Sequence, residues 1–285
     1  MLVSPLSLYK KARKGGYAIG AFNTSNVEIT KAIIETAEKL NSPVIIETSE
    51  GEAEHQGLDV VAAEVKALAK DAKIPIVLHL DHGKSFESIG NAIRSGYTSV
   101  HIDGSEYNVK ENTKITRAVV ELAHNNGVAV EGEIGHVAGA SSQHKAEIAI
   151  ETKDLTSPEE AAEFAKKTKI DTLAVAIGNI HGIYLQPPKL DFERFGEITA
   201  KVKKYFSLHG GSGIPKNQIQ KAISMGVVKV NVNTELRLAF KEGILHEFDI
   251  HPDEAVPYKY LPAGAEAVSK VVEGKIKLFG SEGKA

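Results

Sequence analysis

Short apolar runs rich in β-branched residues alternate with longer amphipathic stretches from one end of the chain to the other. The short runs predict strands over 18–22, 44–48, 76–80, 99–103, 128–133, 172–177, 205–209 and 227–231. Between and after them, apolar residues recur at helical spacing over 27–40, 60–71, 86–95, 113–125, 158–169, 192–203, 215–225 and 234–248. Helix start signals accompany this pattern. Ser157, Pro158, Glu159 and Glu160 supply a cap, a first-turn proline and two acids in order. Eight β-α units at roughly 30-residue spacing predict a parallel sheet, and eight strands close a barrel. The expected fold class is therefore α/β, a (β/α)8 TIM barrel forming one domain over residues 1–285. The alternative is a doubly wound open sheet, which would gather its chemistry at a switch point.

Two pieces stand outside the repeat. Residues 135–152 form a long connection, expected to be a mobile active-site loop, and 262–279 read as a final helix packing on the barrel or on a partner. The polar residues at strand ends favour the barrel because they are spread around it. Asn23, Ser49, Asp81 with His82, Asp103, Glu131 with Glu133, His181, His209 and Asn231 all fall at or just after the C-terminal end of an expected strand. A (β/α)8 barrel builds its active site there.

Composition narrows the chemistry. Lys and Arg number 34 against 37 Asp and Glu, with no basic stretch, so no nucleic-acid partner is expected. The longest uncharged stretch, 172–188, holds Asn179, His181, Gln186 and two prolines and predicts no membrane span. In MLVSPLSLYKKARKGG the apolar residues precede the basic patch, the reverse of a signal peptide, so a cytoplasmic protein is expected. With no cysteine, any metal site must use His, Asp and Glu.

Such a set is present. HLDHG at 79–83 follows an apolar run, as do GNIHG at 178–182 and LHGGSG at 208–213. His82, His181 and His209, each followed by glycine, make a candidate three-histidine site with positions left for substrate oxygens. A lone strand-end histidine is commonly a satisfied polar residue; three in a repeated setting point to a ligand set. Asp81 precedes one proposed ligand, so both reach the site only if the strand twists or ends there, which Gly83 permits. Asp81 is then the natural proton carrier for a substrate hydroxyl, the bland alternatives being to orient a histidine or cap a helix. Asp103 and the pair Glu131 and Glu133 suit a second metal position or support behind the ligands, with plain pairing to lysine as the alternative.

Glycine-rich Leu208–Pro215 and the segment Val230–Thr234 each lead into a helix, after expected strands seven and eight. Barrels often build a phosphate site there from backbone N–H groups and a helix N-terminus. Metal, carboxylate and phosphate site together suggest carbon–carbon cleavage beside a ketone. The metal stabilises the charge of an enediolate and carboxylates move protons, without a Schiff-base lysine.

On these motifs the chain resembles the class II, zinc-dependent ketose-bisphosphate aldolases, in the branch that holds fructose- and tagatose-bisphosphate aldolases. The likeness runs from GYAIGAFN at 16–23 through SPVIIETSEG, HLDHG, IDGS, VEGEIG, LAVAIGNIHG, LHGGSGIP and KVNVNTELR to the closing KLFGSEGKA. The resemblance implies that Asp81 is the acid/base on the hydroxyl at the cleaved bond. It implies Zn2+ on His82, His181 and His209, and a second position, for a divalent or monovalent cation, at Asp103 and Glu133. Gly182, Gly210, Gly211, Ser212, Asn231, Val232, Asn233 and Thr234 would hold the dihydroxyacetone phosphate part of a phosphorylated ketose. Asn23 and Ser49 match positions near the aldehyde part. The expected assembly is a homodimer or homotetramer.

The chain departs from the pattern in three places. Residues 138–143 read AGASSQ where relatives carry an acidic loop residue, leaving His144, Glu147 and Glu151 as replacements, Glu147 foremost. Tyr258 stands where an arginine would meet the distal phosphate, with Arg237 or a partner subunit as another source of the cation. Leu185 replaces a common lysine. Fructose 1,6-bisphosphate is the default substrate and another ketose phosphate the variant. A metal-dependent phosphosugar isomerase or epimerase, or a non-catalytic partner subunit, are the alternative functions.

Overall fold

In the computed structural model, which describes residues 2–139, 141–144, 150–184 and 186–285, all eight expected strands form. They are β1 (Ile19–Asn23), β2 (Val44–Ser49), β3 (Ile76–Gly83), β4 (Ser99–Ile102), β5 (Ala129–Ile134), β6 (Thr172–Val175), β7 (Tyr205–Leu208) and β8 (Val227–Val232). Every neighbouring pair is parallel, and β8 pairs with β1, so the sheet closes into a (β/α)8 barrel. The open-sheet alternative is excluded.

Helices of the outer ring bury one apolar stripe each against the outward strand residues. They comprise α2 (Val27–Lys39), α4 (Leu58–Leu68), α5 (Phe86–Ser95), α6 (Val109–Asn125), α7 (Pro158–Thr168), α8 (Phe192–Lys201), α9 (Lys216–Ser224) and α10 (Thr234–Ile250). The Ser157 hydroxyl caps α7 by accepting from the Glu160 N–H, as its sequence requires. The last helix, α11 (Pro257–Phe279), begins earlier than 262 because Pro262 lies inside it, and it packs on α10 and α2.

Two helices were not expected. Leu8, Tyr9 and Ala12 of α1 (Leu6–Gly15) pack with Ile19, Ala21, Ile45, Val77 and Val228, an apolar plug at the N-terminal end of the barrel. A short α3 (Glu50–Gln56) follows β2 directly, because Ser49 and Glu52 form a reciprocal cap.

Strand alternation divides the residues between two environments. Val44, Ile46, Leu78, Leu80, Val100, Val130 and Val230 face the helices, while their alternate neighbours face the barrel axis. Above the apolar plug the axis is charged: Glu47, His79, Glu131 and Lys229 are all buried there. The candidate site sits on top of that layer.

Candidate active site

Asp81 and His82 reach the same space because β3 does not end as a regular strand. His82 adopts φ 51°, and the pairing of β3 with β4 shifts register between Leu80 and Gly83. A left-handed residue undoes the alternation that would send adjacent side chains to opposite faces. Gly83 makes this bulge fit, since a Cβ there would lie 2.9 Å from the His101 carbonyl oxygen and 2.7 Å from Ile89 Cδ1.

Each of the three expected histidines is anchored through one ring nitrogen. His82 Nδ1 donates to Asp103 Oδ2 at 2.8 Å, His209 Nε2 to Glu131 Oε1 at 2.6 Å, and His181 Nδ1 to the Val137 carbonyl at 3.2 Å. These bonds fix the tautomers and leave His82 Nε2, His209 Nδ1 and His181 Nε2 as acceptors. His82 Nε2 and His209 Nδ1 face each other at 3.0 Å. Two lone pairs at that distance require a proton or a cation between them, so the residues fit a metal ion. Anchored imidazoles of this kind are the usual support of metal ligands.

The rings of His82 and His181 lie 5.0 Å apart and those of His181 and His209 6.1 Å apart. His181 thus borders the site, while Asp81, His82, His101 and His209 bring four potential ligand atoms within 4.8 Å of one another. His101 was missed in the sequence. It is fully buried, its Nδ1 accepts the His82 backbone N–H at 3.2 Å, and its Nε2 lies 3.5 Å from Glu133 Oε2. Those last two atoms have no hydrogen-bond partner among the described residues. A further group, His82 with Asp103 and Glu133, coincides with the second expected cation position.

Electrostatics sort the groups by role. Burial pushes His181 down to about 3, helped by His82 and His209, and His209 down to about 4, so both imidazoles are neutral at neutral pH, as a metal ligand must be. Burial would also lower His82, but Asp81 and the bond to Asp103 raise it. Burial alone would raise Asp81, yet the His82, His101 and His209 rings hold its carboxyl well below the usual range. Glu133 is pushed up to about 8 by burial and by Asp103.

Asp81 is positioned by two carboxamides. Asn231 Nδ2 donates to Oδ1 at 3.0 Å and Asn23 Nδ2 to Oδ2 at 3.3 Å. Beside it, Gly182, Gly210, Ser212, Asn233 and Thr234 line the same cavity as His82, His181 and His209. Gly210, at φ 67°, passes so close to the Ile180 carbonyl that no side chain fits. Gly211 donates to the Asn231 carbonyl at 2.9 Å and joins the loops after β7 and β8. Val232 points into the layer under the helices, leaving only its backbone for a ligand. Glu235 steadies this loop pair by accepting from Gly213 N–H at 2.8 Å and from Lys275 of α11 at 2.7 Å.

Glu131 is both a support for His209 and a salt-bridge partner of Lys229, at 3.0 Å. The lysine pairing considered for the acidic strand therefore exists at Glu131, while Glu133 has no lysine partner among the described residues. Of the loop candidates, His144 Nε2 donates to the His181 carbonyl at 2.8 Å and its ring stacks on Tyr184. Glu151 pairs with Lys153 at 2.9 Å. Glu147 and Leu185 lie outside the described residues. Tyr258 is 78% exposed and lines a groove with Val27 and Leu261, apart from the cavity.

Comparison with known proteins shows the family. Residues 3–284 match the family model described as fructose-bisphosphate aldolase class-II. A fructose-bisphosphate aldolase of Thermus caldophilus is 42% identical, with 100% of each chain covered. A sulfofructosephosphate aldolase of Alkalicoccus urumqiensis is 39% identical, covering 99% of this chain and 98% of that one. The crystal structure of the YdjI aldolase from Escherichia coli K12 superposes with a TM-score of 0.85 at 34% identity, over 100% of each chain. The chain belongs to the class-II fructose-bisphosphate aldolase family.

Proposed function

We propose the following division of labour for this aldolase, a lyase that acts on phosphorylated ketoses. His82, His181 and His209 hold the catalytic metal, which we take to be Zn2+. When bound, it supplies a Lewis acid for the ketone and hydroxyl oxygens of the substrate. Asp103 and Glu133 offer a second cation position. Asp81, ionised at neutral pH, takes the proton of the hydroxyl on the carbon that becomes the aldehyde, and the bond beside it breaks. The electron pair passes toward the ketone oxygen, and a proton delivered to the carbon next to the ketone, which has lost its bond to the aldehyde carbon, completes dihydroxyacetone phosphate. In the forming direction Asp81 gives its proton back. Asn23 and Asn231 keep the carboxylate aimed throughout.

Gly182, Gly210, Gly211, Ser212 and Asn231 to Thr234 receive the phosphate at the N-terminus of α10, where backbone N–H groups and the helix dipole favour an anion. Asn23 and Ser49 face the aldehyde half. Exposed Leu245 and Ile250 on α10 and Tyr258 on α11 support assembly as a homodimer or homotetramer. No helix among the described residues is long and apolar enough to cross a membrane, and a cytoplasmic location is part of the same proposal.

The observation that carries this reading is the pair of anchored imidazoles whose free nitrogens meet at 3.0 Å beside an amide-held carboxylate. The test is release of triose phosphate from ketose phosphates, with metal content measured before and after chelation. Cleavage that survives complete removal of metal would refute it.

A further inference from the structure

Near the ends of β1 and β2 lie Glu52 and Arg237, two charged residues that the division of labour above leaves unused. Glu52, only 6% exposed, accepts five donors. Asn23 Nδ2 at 3.0 Å, Ser49 N–H at 2.8 Å and Ser49 Oγ at 2.9 Å reach its Oε2. Asn233 Nδ2 at 3.2 Å and Arg237 Nη2 at 2.5 Å reach its Oε1. A carboxylate so saturated has no lone pair to spare for proton transfer. It is an anchor, and what it anchors at the cavity rim is Arg237.

Arg237 is the one lysine or arginine among the described residues lining the cavity. Its Nη1 also reaches the Ser141 carbonyl at 3.4 Å, so the guanidinium spans from α3 to the loop after β5. Its side chain is 42% exposed and its other N–H groups have no partner among the described residues. Two neighbouring carboxamide oxygens, Asn23 Oδ1 and Asn233 Oδ1, are buried without hydrogen-bond partners among the described residues. Acceptors for sugar hydroxyls and a planar donor for an oxyanion therefore stand together on the side of Asn23 and Ser49.

We infer that Arg237, set by Glu52, selects the far end of the substrate, and that the preferred substrate is a ketose 1-phosphate ending in a singly charged oxyanion, a sulfonate or carboxylate. This rests on the aldolase reading above. A guanidinium edge grips such a group with parallel charged hydrogen bonds. The second charge of a phosphate dianion meets Glu52 as well as Arg237, so it gains little attraction while costing more to desolvate. The position held by Tyr258 adds no cation to the cavity from this chain.

The test is kcat/KM of the metal-loaded full-length chain for ketose 1-phosphates that differ only at C6: hydroxyl, carboxylate, sulfonate or phosphate. The same panel is run on Arg237→Met, Arg237→Lys and Glu52→Gln, with thermal melts checking folding. Wild type should favour one or both singly charged ends by about tenfold over hydroxyl and over phosphate, chiefly through KM. The carboxylate and sulfonate arms identify which. Arg237→Met should collapse the ranking, Arg237→Lys should keep part of it, and Glu52→Gln should shift preference toward phosphate. A wild type that prefers the bisphosphate, or an Arg237→Met that keeps the wild-type ranking, overturns the inference and leaves the aldolase reading intact. Failure of all four substrates to release triose phosphate refutes that reading and this inference together.

Discussion

Replacing Lys229 by Met should cost stability and metal affinity together, although Lys229 touches no proposed ligand. Its side chain is fully buried, with Nζ 3.0 Å from Glu131 Oε2, 3.4 Å from Glu47 Oε2 and 3.2 Å from His79 Nε2. Burial alone would lower its pKa, but Glu131 and Glu47 raise it above the ordinary lysine value. The amine is therefore a cation at every accessible pH. Met fills the volume and leaves the Glu131 carboxylate without its counter-charge, beside Glu47, whose carboxyl burial and Asp81 already push well above the usual range. Breaking one partner out of a buried ion pair costs about 3–5 kcal/mol. With an unfolding entropy of roughly 2 cal/mol/K per residue, the chain should lose on the order of 5–8 °C in Tm.

The same change reaches the metal through Glu131, whose other oxygen holds His209 Nε2 at 2.6 Å. Without Lys229 that carboxylate is driven toward its protonated form, and the support of His209 weakens. Loss of such support typically lowers metal affinity about 10–100-fold. Differential scanning calorimetry and competition with a chelating dye would measure both effects. Adding Glu47→Gln to Lys229→Met removes one of the two buried carboxyls that lost their cation and should recover part of the Tm. A Tm within about 2 °C of wild type with unchanged metal affinity would refute the reasoning. A cationic Lys229 also cannot act as an amine nucleophile, so borohydride with substrate should leave activity and mass unaltered. A trapped adduct at Lys229 would sink that conclusion.

Asp81→Asn should keep its metal and lose cleavage by roughly 10²–10⁴-fold, the scale of a positioned acid/base; metal content falling in step with activity would make Asp81 structural. His181→Ala and His209→Ala should each lose bound metal as well as turnover, measured by metal analysis after gel filtration; full occupancy in either removes that residue from the ligand set. Glu133 is raised from 4.5 to about 8, so the metal-free fold loses stability as pH rises through that window. Glu133→Gln should then match wild type at pH 5 and exceed it by a few kcal/mol at pH 9; parallel stability curves would contradict this. If Glu147 returns the proton to the dihydroxyacetone carbon, Glu147→Gln should abolish solvent proton exchange into dihydroxyacetone phosphate, and unchanged exchange removes it from the mechanism.

The barrel was legible because its outer face repeats: each strand offers apolar residues to a helix whose stripe has the matching period. The unexpected α1 had a weaker signal, since Leu8, Tyr9 and Ala12 form a short stripe with no first-turn acid and no side-chain cap. Its role as a plug depends on Ile45, Val77 and Val228, which are far away in sequence. At the site, motifs ending in glycine exposed His82, His181 and His209. His101 carries no such mark, sitting in SVHID as an ordinary mid-strand residue. What brings it to His82 is the φ of 51° at His82, which no residue type in HLDHG demands.

The charged layer beneath the site follows from the same two-residue period that hides it. An inward side chain lies about 6.6 Å along the strand from the next inward one. Thus Glu47 lies below Ser49, His79 below Asp81, Glu131 below Glu133 and Lys229 below Asn231, and all four lower residues are buried. Read along one strand, each is an isolated polar residue in an apolar run, easily assigned to solvent. Read across the closed barrel, β8 brings the one cation between the carboxylates of β2 and β5. A charge at an inward position can be stable only if such a partner closes on it, and closure is a property of all eight strands together. The floor of the site is consequently specified by pairs 98 and 182 residues apart, Glu131 with Lys229 and Glu47 with Lys229. The proposed ligands above it are specified locally by single strand ends, which is why a linear reading finds them first.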